Sequence, residues 1–477
     1  VAKNQARPAE SRDEVALSRD LGLFTVTMIG VGGMIGAGIF VLTGIAAGVA
    51  GPALILAFLL NGMVTTLTAM SYAELGSAFP EAGGGYLWVK EAMGGLQGFM
   101  AGWMSWFAHA VAGSLYALTF GRFAAELLTM AGVPIFGLSA SELAPILMTF
   151  IIFALTYLNY IGVSETGAVG NLVTVTKIMI LGLFVLFGLL AMARTDFWVH
   201  RFTVDFMPNG FFSVLSAMGL TFIAFEGYEI IAQSGEEVID PQRNIPRAIF
   251  IAIGIAVAVY VMVGVAAIGG AVPPAGLTAS QYLGQMRELA IVEVARQTFP
   301  WGIGGVVLLL SGLASTMSAL NATTYSSSRV SFAMARDHNL PELFAEIHVT
   351  RHTPHWAVIS SGTFMLAMGW ALPIEAVAAS ADIMFLLLFL QVNIAALVLR
   401  HKLPDLPRSF KIPWVPLLPV LAMVFNLLLA VHLFSFSSLA WYATIGWLVT
   451  GVLAHSLYFS GIEAMEKPKE ILLEEVL

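Results

Sequence analysis

An apolar stretch over residues 23–47 is long enough to cross a bilayer as a helix, yet its centre reads Gly32-Gly33-Met34-Ile35-Gly36-Ala37-Gly38. Glycine loses more freedom on entering a helix than other residues do, so this run is costly as helix. Backbone N–H and C=O groups released into hydrocarbon are costlier still, unless they line a cavity or meet a ligand. The sequence therefore predicts a helix broken at mid-membrane, with the break facing a binding site. The plainer alternative is that the glycines only let helices pack closely.

Composition puts the whole chain in the membrane. Apolar residues make up 58% of its 477 positions and charged residues 11%, against roughly 25% charged in a soluble domain. With 22 basic and 30 acidic residues there is no nucleic-acid signal, and without cysteine no disulfide can form. Residues 1–22 are polar, and the first apolar stretch is too long for a signal-peptide core, so no cleavable leader is expected.

Twelve spans are expected, at about 23–47, 52–78, 98–130, 142–160, 166–194, 211–235, 246–270, 302–335, 355–373, 376–400, 414–435 and 438–460. Residues 79–97 read as a small amphipathic re-entrant helix, and 280–297 as a surface helix over one mouth. The predicted organisation is a tail at 1–22, one transmembrane domain at 23–460 and a second tail at 461–477. Lys and Arg concentrate on the side that an even span count gives to both ends, including Arg19, Lys90, Arg243, Arg329, Arg336 and Arg400. The other side has Arg122, Arg194, Arg201, Arg287 and Arg296. Both termini are therefore expected in the cytoplasm of a multi-pass cell-membrane protein.

Span 6 mirrors span 1. It reads Phe222-Ile223-Ala224-Phe225-Glu226-Gly227-Tyr228-Glu229, with a glycine set among carboxylates at mid-span. Breaks five spans apart are what two repeats of opposite topology would give, at 23–194 and 211–400, leaving the helices at 414–460 outside the repeat. The expected class is an all-α membrane protein with a 5+5 inverted repeat and broken helices 1 and 6.

Four stretches then carry a family resemblance. They are Gly33-Met34-Ile35-Gly36-Ala37-Gly38-Ile39-Phe40; Tyr72-Ala73-Glu74-Leu75 with Pro80 and Gly84-Gly85-Tyr86; Glu236-Glu237 with Pro241 and Asn244-Ile245-Pro246-Arg247; and Arg329 to Asp337 with Leu340-Pro341. Together they cover most of residues 20–400. The chain resembles the amino acid–polyamine–organocation transporters, which share the leucine-transporter-type fold, and is most similar to the prokaryotic relatives of the cationic amino acid transporters.

The breaks offer complementary chemistry. Backbone N–H groups of Ile35, Gly36, Ala37 and Gly38 at a half-helix end suit a carboxylate. Carbonyls over Phe222, Ala224 and Phe225 suit an ammonium. Glu226, costing about 2.5–3.5 kcal/mol at bilayer centre when ionised, needs a partner or water. In the resemblance, an acid matching Glu226 occurs among relatives that take basic amino acids, whereas Glu229 matches an acid common across the cationic branch. The bland reading of Glu226 is a buried, protonated or internally paired carboxyl. Lys177 lies about twelve residues, or ~18 Å, from the inner end of span 5. The resemblance implies that its ammonium takes the place sodium holds in coupled members, against a carbonyl of the span 1 break and hydroxyls on span 8, where Ser311, Ser315, Ser318 and Tyr325 form a stripe. Either proton loading or a static pair is open for it. His109 on span 3 is a substrate contact, a proton relay or a hydrogen-bonded core residue. Asp382, expected near the outer vestibule, either draws cations and closes a gate or is a structural acid.

No nucleophile–base set, metal cluster or phosphate loop is present, so neither enzyme chemistry nor a cofactor is expected, and Gly30, Gly32 and Gly33 lie in a membrane span rather than a strand–turn–helix unit. The expected activity is secondary active transport by alternating access. It is read as sodium-independent and proton-coupled, with arginine, lysine or related amines as substrates and with amino acid, protons and lipid as partners. The alternatives are a relative of the cation–chloride cotransporters, an amino acid exchanger of broad specificity, a membrane receptor and, with least support, a membrane enzyme.

Overall fold

The computed structural model describes residues 19–80, 83–133, 137–162, 167–195 and 197–474. Residues 1–18 and 475–477 of the two expected tails, with Lys3, Arg7 and Arg12, lie outside the described residues, as does Glu81 of the expected re-entrant segment. Every long element is a helix: α1 (Leu23–Met34), α2 (Ala37–Ala50), α3 (Leu54–Ala78), α4 (Gly85–Met93), α5 (Gly95–Met130), α6 (Ala140–Ile161), α7 (Gly167–Met192), α8 (Phe197–Thr203) and α9 (Phe211–Thr221). There follow α10 (Tyr228–Gln233), α11 (Pro241–Gly270), α12 (Ala279–Met286), α13 (Ala290–Thr298), α14 (Gly304–Arg336), α15 (His355–Ala371), α16 (Ile374–Lys402), α17 (Leu417–Phe436) and α18 (Ser438–Glu474). Eight segments among the described residues are long and apolar enough to cross a membrane, the first of them running over Leu23–Ala78.

Burial is inverted relative to a soluble bundle. α2, α10 and the halves of α1 and α9 next to the breaks are buried almost throughout. Peripheral helices instead turn large apolar side chains outward, among them Phe150 and Phe153 on α6, Leu172 and Met179 on α7, and Val424 and Val431 on α17. An apolar exterior around a core that contains Lys177, Glu226, Glu229 and Asp382 suits hydrocarbon as solvent.

The observed ends follow local chemistry. A capping box of Ser139 and Glu142 starts α6, and one of Thr278 and Gln281 starts α12. α11 begins at Pro241, five residues before the expected start. The carbonyl of Gln242, which Pro246 cannot serve, accepts from the Ser409 hydroxyl, so the proline is tolerated inside the helix. The surface helix expected over 280–297 is two helices, parted at Arg287, whose φ is 50°. This cap rests on α2 through glycines: a Cβ on Gly48 would lie 2.8 Å from Gly284 Cα, and one on Gly44 would collide with the carbonyl of Arg287.

At the face where the described chain begins, called the N-terminal face below, Leu21 forms a parallel bridge with Val238. Leu21 N–H donates to Glu237 O at 3.0 Å and Ile239 N–H donates to Leu21 O at 2.9 Å. Near it, the fully buried Glu74 pairs with Arg400 and Arg408 and accepts from Ile412 N–H at 2.8 Å. Lys90 Nζ lies 2.7 Å from Asp337 Oδ2, which also accepts from Tyr86 OH at 2.8 Å.

Candidate substrate site between two broken helices

The first break is short. Ile35 (φ −78°, ψ 66°) and Gly36 (φ −100°, ψ −142°) leave the helical region, and α2 resumes at Ala37. The second runs through a 3₁₀ turn at Phe222–Phe225, an extended Glu226 and Gly227 at φ 128°, a value that needs glycine. The breaks touch. A Cβ on Gly227 would lie 2.6 Å from Met34 N, and one on Gly38 would lie 2.7 Å from Ala224 Cβ.

The polar backbone at the first break differs in detail from the expectation. The amides of Ile35 and Gly36 are already donated, to Val31 O and Met34 O, each at 2.8 Å. The open amides are those that any helix start leaves over, at Ala37, Gly38 and Ile39. At the second break Ile223 O accepts from Glu226 N–H at 3.3 Å. The hydroxyl of Tyr260 on α11 stands 2.6 Å from both Ala224 O and Met34 O, so its single proton ties the two breaks together. Sequence reasoning missed Tyr260, since a tyrosine inside an apolar run carries no signal of the loop it reaches.

Lys177 enters from α7. Its Nζ donates to Gly32 O at 2.8 Å and Ile35 O at 2.6 Å, and Ser315 Oγ on α14 donates to the same Ile35 O at 2.7 Å. The ammonium thus sits on carbonyls that the first break leaves without helical partners. Ser318 is not in this set: it is half-buried, and among the described residues no hydrogen bond joins it to Lys177 or to the break. Tyr325 faces outward under Arg329 and is not on the inner stripe.

A cavity of about 10 Å³ lies at the meeting of the breaks, room for one water at most. Gly33, His109, Tyr116, Glu226, Gly227, Glu229, Thr323 and Phe385 are among its walls. Glu229 Oε2 accepts from Gly227 N–H at 2.7 Å, and Glu229 Oε1 is 3.9 Å from His109 Nε2. His109 Nδ1 bonds Ser105 O at 2.7 Å, which makes Nδ1 the protonated nitrogen and turns the lone pair of Nε2 toward the cavity. Asp382 is not in an outer vestibule. It is fully buried in the body of α16. The α16 helix starts at Ile374, one residue before the cap contact at Glu375, and Asp382 lies two turns further in, where the helix is buried on all sides.

The arrangement has an amide end, a carbonyl end, an acid-lined pocket and an ammonium on the first break. It has no nucleophile paired with a base, and no group of His, Asp or Glu that would hold a metal occurs among the described residues. The sequence matches the amino acid permease family over residues 21–453. This chain belongs to that family. It is 32% identical to the branched-chain amino acid permease BcaP of Bacillus subtilis, over 94% of this permease and 95% of that one. It is 30% identical to the methylthioribose transporter of the same organism, over 94% and 95%. Identity to the human large neutral amino acids transporter small subunit 2 is 32%, over 95% of this permease and 82% of the relative. The permease is therefore a multi-pass membrane transport protein of the amino acid–polyamine–organocation superfamily, and not an enzyme.

Proposed function

We propose that the permease is a secondary active amino acid transporter of the cell membrane that works by alternating access, is independent of sodium and is coupled to protons. Its domain spans 23–460, with twelve crossings, two five-helix repeats of opposite topology at 23–194 and 211–400, two further helices at 414–460 and both tails, 1–22 and 461–477, in the cytoplasm. The order of elements supports this reading: one broken helix opens each set of five long helices, and the two breaks face each other. Lys177 supports the sodium-independent reading, because its ammonium occupies the carbonyls that a coupling cation would need.

Basic amino acids, arginine and lysine, are the preferred substrates in this reading. The observation that carries it is Glu226. Its carboxyl is buried beside the cavity, and among the described residues no basic side chain forms an ion pair with it. The α-carboxylate would meet the amides of Ala37 and Gly38, and the α-ammonium the carbonyls at Phe222 and Phe225. The side-chain cation would then supply the charge that Glu226 lacks. A charge-assisted hydrogen bond is worth about 1.5–3 kcal/mol, which amounts to a preference of about one to two orders of magnitude over a neutral isostere. A second reading, broad or neutral specificity, is favoured by the relatives, whose names specify branched-chain and large neutral amino acids.

Competition against a labelled substrate in proteoliposomes separates the two. Arginine should out-compete citrulline in the parent protein, and Glu226→Gln should erase most of that preference while neutral uptake continues. If leucine competes and arginine does not, the neutral reading stands.

A further inference from the structure

His109 and Glu229 both line the small cavity where the breaks meet, and each is held by a bond on its far side. His109 Nδ1 donates to Ser105 O at 2.7 Å, one turn back on α5, so a neutral ring turns the lone pair of Nε2 to the cavity. Glu229 Oε2 accepts from Gly227 N–H at 2.7 Å, at the start of its own half-helix, and Oε1 is left facing the histidine. Nε2 and Oε1 stand 3.9 Å apart, on side chains 1% and 3% exposed. Nε2 has no hydrogen-bond partner among the described residues. The gap is too long for a hydrogen bond, and it sets one acceptor against another. The cavity has room for one water at most. A proton on the pair, carried directly or through that water, completes it without opening the protein.

The two residues sit on elements of unequal freedom. α5 is one 36-residue helix packed along α14, α6 and α16. α10 has six residues and starts from Gly227, whose φ of 128° other residues rarely adopt. A turn at Gly227 therefore carries Glu229 away while His109 stays in place. The other titratable groups around the pair are Glu226 and Tyr228 at the second break, Tyr116 on α5, Tyr72 on α3, Tyr260 on α11 and Asp382 on α16. His109 packs edge-on against Phe385, one turn beyond Asp382. Tyr260 and Lys177 are engaged with carbonyls of the breaks. α1 and α2 contain no titratable residue, and α14 brings to the cavity the Thr323 hydroxyl, donated within its own helix. Among the described residues that line the cavity, His109 is the one base.

We infer that His109 Nε2 and Glu229 Oε1 form the proton site of the permease, and that the proton they share latches α10 to α5 while the substrate site is closed. The inference rests on the proton-coupled reading proposed above, and not on the substrate class. Without the proton, a neutral imidazole faces a lone buried carboxylate. With it, the pair is neutral overall and joined by a hydrogen bond. A buried carboxylate without a counter-charge is costly, so the unloaded pair favours the form in which α10 has turned Glu229 toward water. The loaded pair favours closure. The proton enters from water on the side to which the site is open and leaves to water on the other, and no covalent bond of the substrate changes.

Proteoliposomes loaded with a pH-sensitive dye test this, with labelled arginine as the probe, or leucine if the competition above selects it. The parent should move about one proton per substrate molecule carried. Glu229→Gln keeps an oxygen for Gly227 N–H and offers an amide N–H to Nε2, so it mimics the loaded pair permanently. It should move almost no protons per substrate carried, and so should His109→Gln. The ratio is taken over whatever substrate flux each variant retains. The parent's ratio kept in both variants overturns the inference and leaves proton coupling standing. A parent that moves no protons overturns the coupled reading, and this inference with it. A second measurement needs no transport. With ¹⁵N-labelled histidine, the signal missing from His109→Gln identifies His109, and its Nε2 shift should pass from the unprotonated to the protonated range as the parent is acidified. That transition should be absent from Glu229→Gln. An Nε2 shift that stays constant while the parent remains folded, or the same transition in Glu229→Gln, overturns the shared proton.

Discussion

Lys177 shows how one residue can fix the shape of a backbone break. Its ammonium donates to the carbonyls of Gly32 and Ile35, and the hydroxyl of Ser315 donates to the same Ile35 oxygen. Removing the ammonium leaves Gly32 O buried without that donor and Ile35 O with Ser315 alone, and an orphaned buried group costs about 1–3 kcal/mol. Lys177→Ala should therefore insert and fold but unfold at a lower temperature in detergent. In proteoliposomes it should also lose accumulation driven by an inward proton gradient while retaining counterflow of labelled substrate. Uptake that collapses when choline replaces sodium would show that Lys177 does not take the place of a coupling cation. Lys177 was legible because a lysine that deep in an apolar run has no route to the interface. Asp382 was legible as a polar residue of span 10 but not as a fully buried one, because sequence does not show how α16 is covered by its neighbours.

Among the elements, the contact between α2 and the 3₁₀ turn at Phe222–Phe225 controls how near the two breaks stand. A Cβ at Gly38 would fall 2.9 Å from Ala224 Cα as well as 2.7 Å from its Cβ, and a backbone neighbour cannot swing aside. Overpacking of this kind costs about 1–3 kcal/mol. Gly38→Val should keep its helical circular dichroism and membrane insertion yet lose measurable substrate binding, and Gly38→Ala should fall between. Normal binding by Gly38→Val would mean that the substrate does not use this helix start. Both breaks could be read from the chain, since Gly36, Gly38 and Gly227 are where a helix in hydrocarbon is weakest. Most of the long helices were equally legible, their ends falling within a few residues because apolar length sets them, but α18 runs on to Glu474, fourteen residues past the expected end of the last span. What escaped was backbone geometry without a compositional mark: the turn at Arg287, and the tolerance of Pro246 through Ser409. The seat of the cap on α2 did have a signal, Gly44-x-x-x-Gly48, which is the spacing that lets two backbones approach.

At the scale of the molecule, the space left between the breaks is a cavity of about 10 Å³, too small for an amino acid. The cap is tied to α16 through Arg287 and Glu375, and the N-terminal face is tied by the Leu21 bridge and by Lys90, Tyr86 and Asp337. Loosening one face should expose the site from that face alone. The chain has no cysteine, so a single thiol introduced as Ala322→Cys, on the cavity wall, reports access cleanly. Adding Asp337→Asn should speed its labelling by a reagent presented at the N-terminal face and leave labelling from the other face unchanged. The Leu21 bridge has a further consequence, for kinetics rather than shape. Its two bonds join main-chain atoms, so no side-chain replacement other than proline removes a donor, and an opening that parts Leu21 from Val238 breaks both. At roughly 0.5–1.5 kcal/mol each they bias the resting population against opening there by about 1–3 kcal/mol. A state populated 5–150-fold less binds correspondingly more weakly in appearance. Half-saturation measured in oriented vesicles should therefore need more substrate at the N-terminal face than at the opposite one.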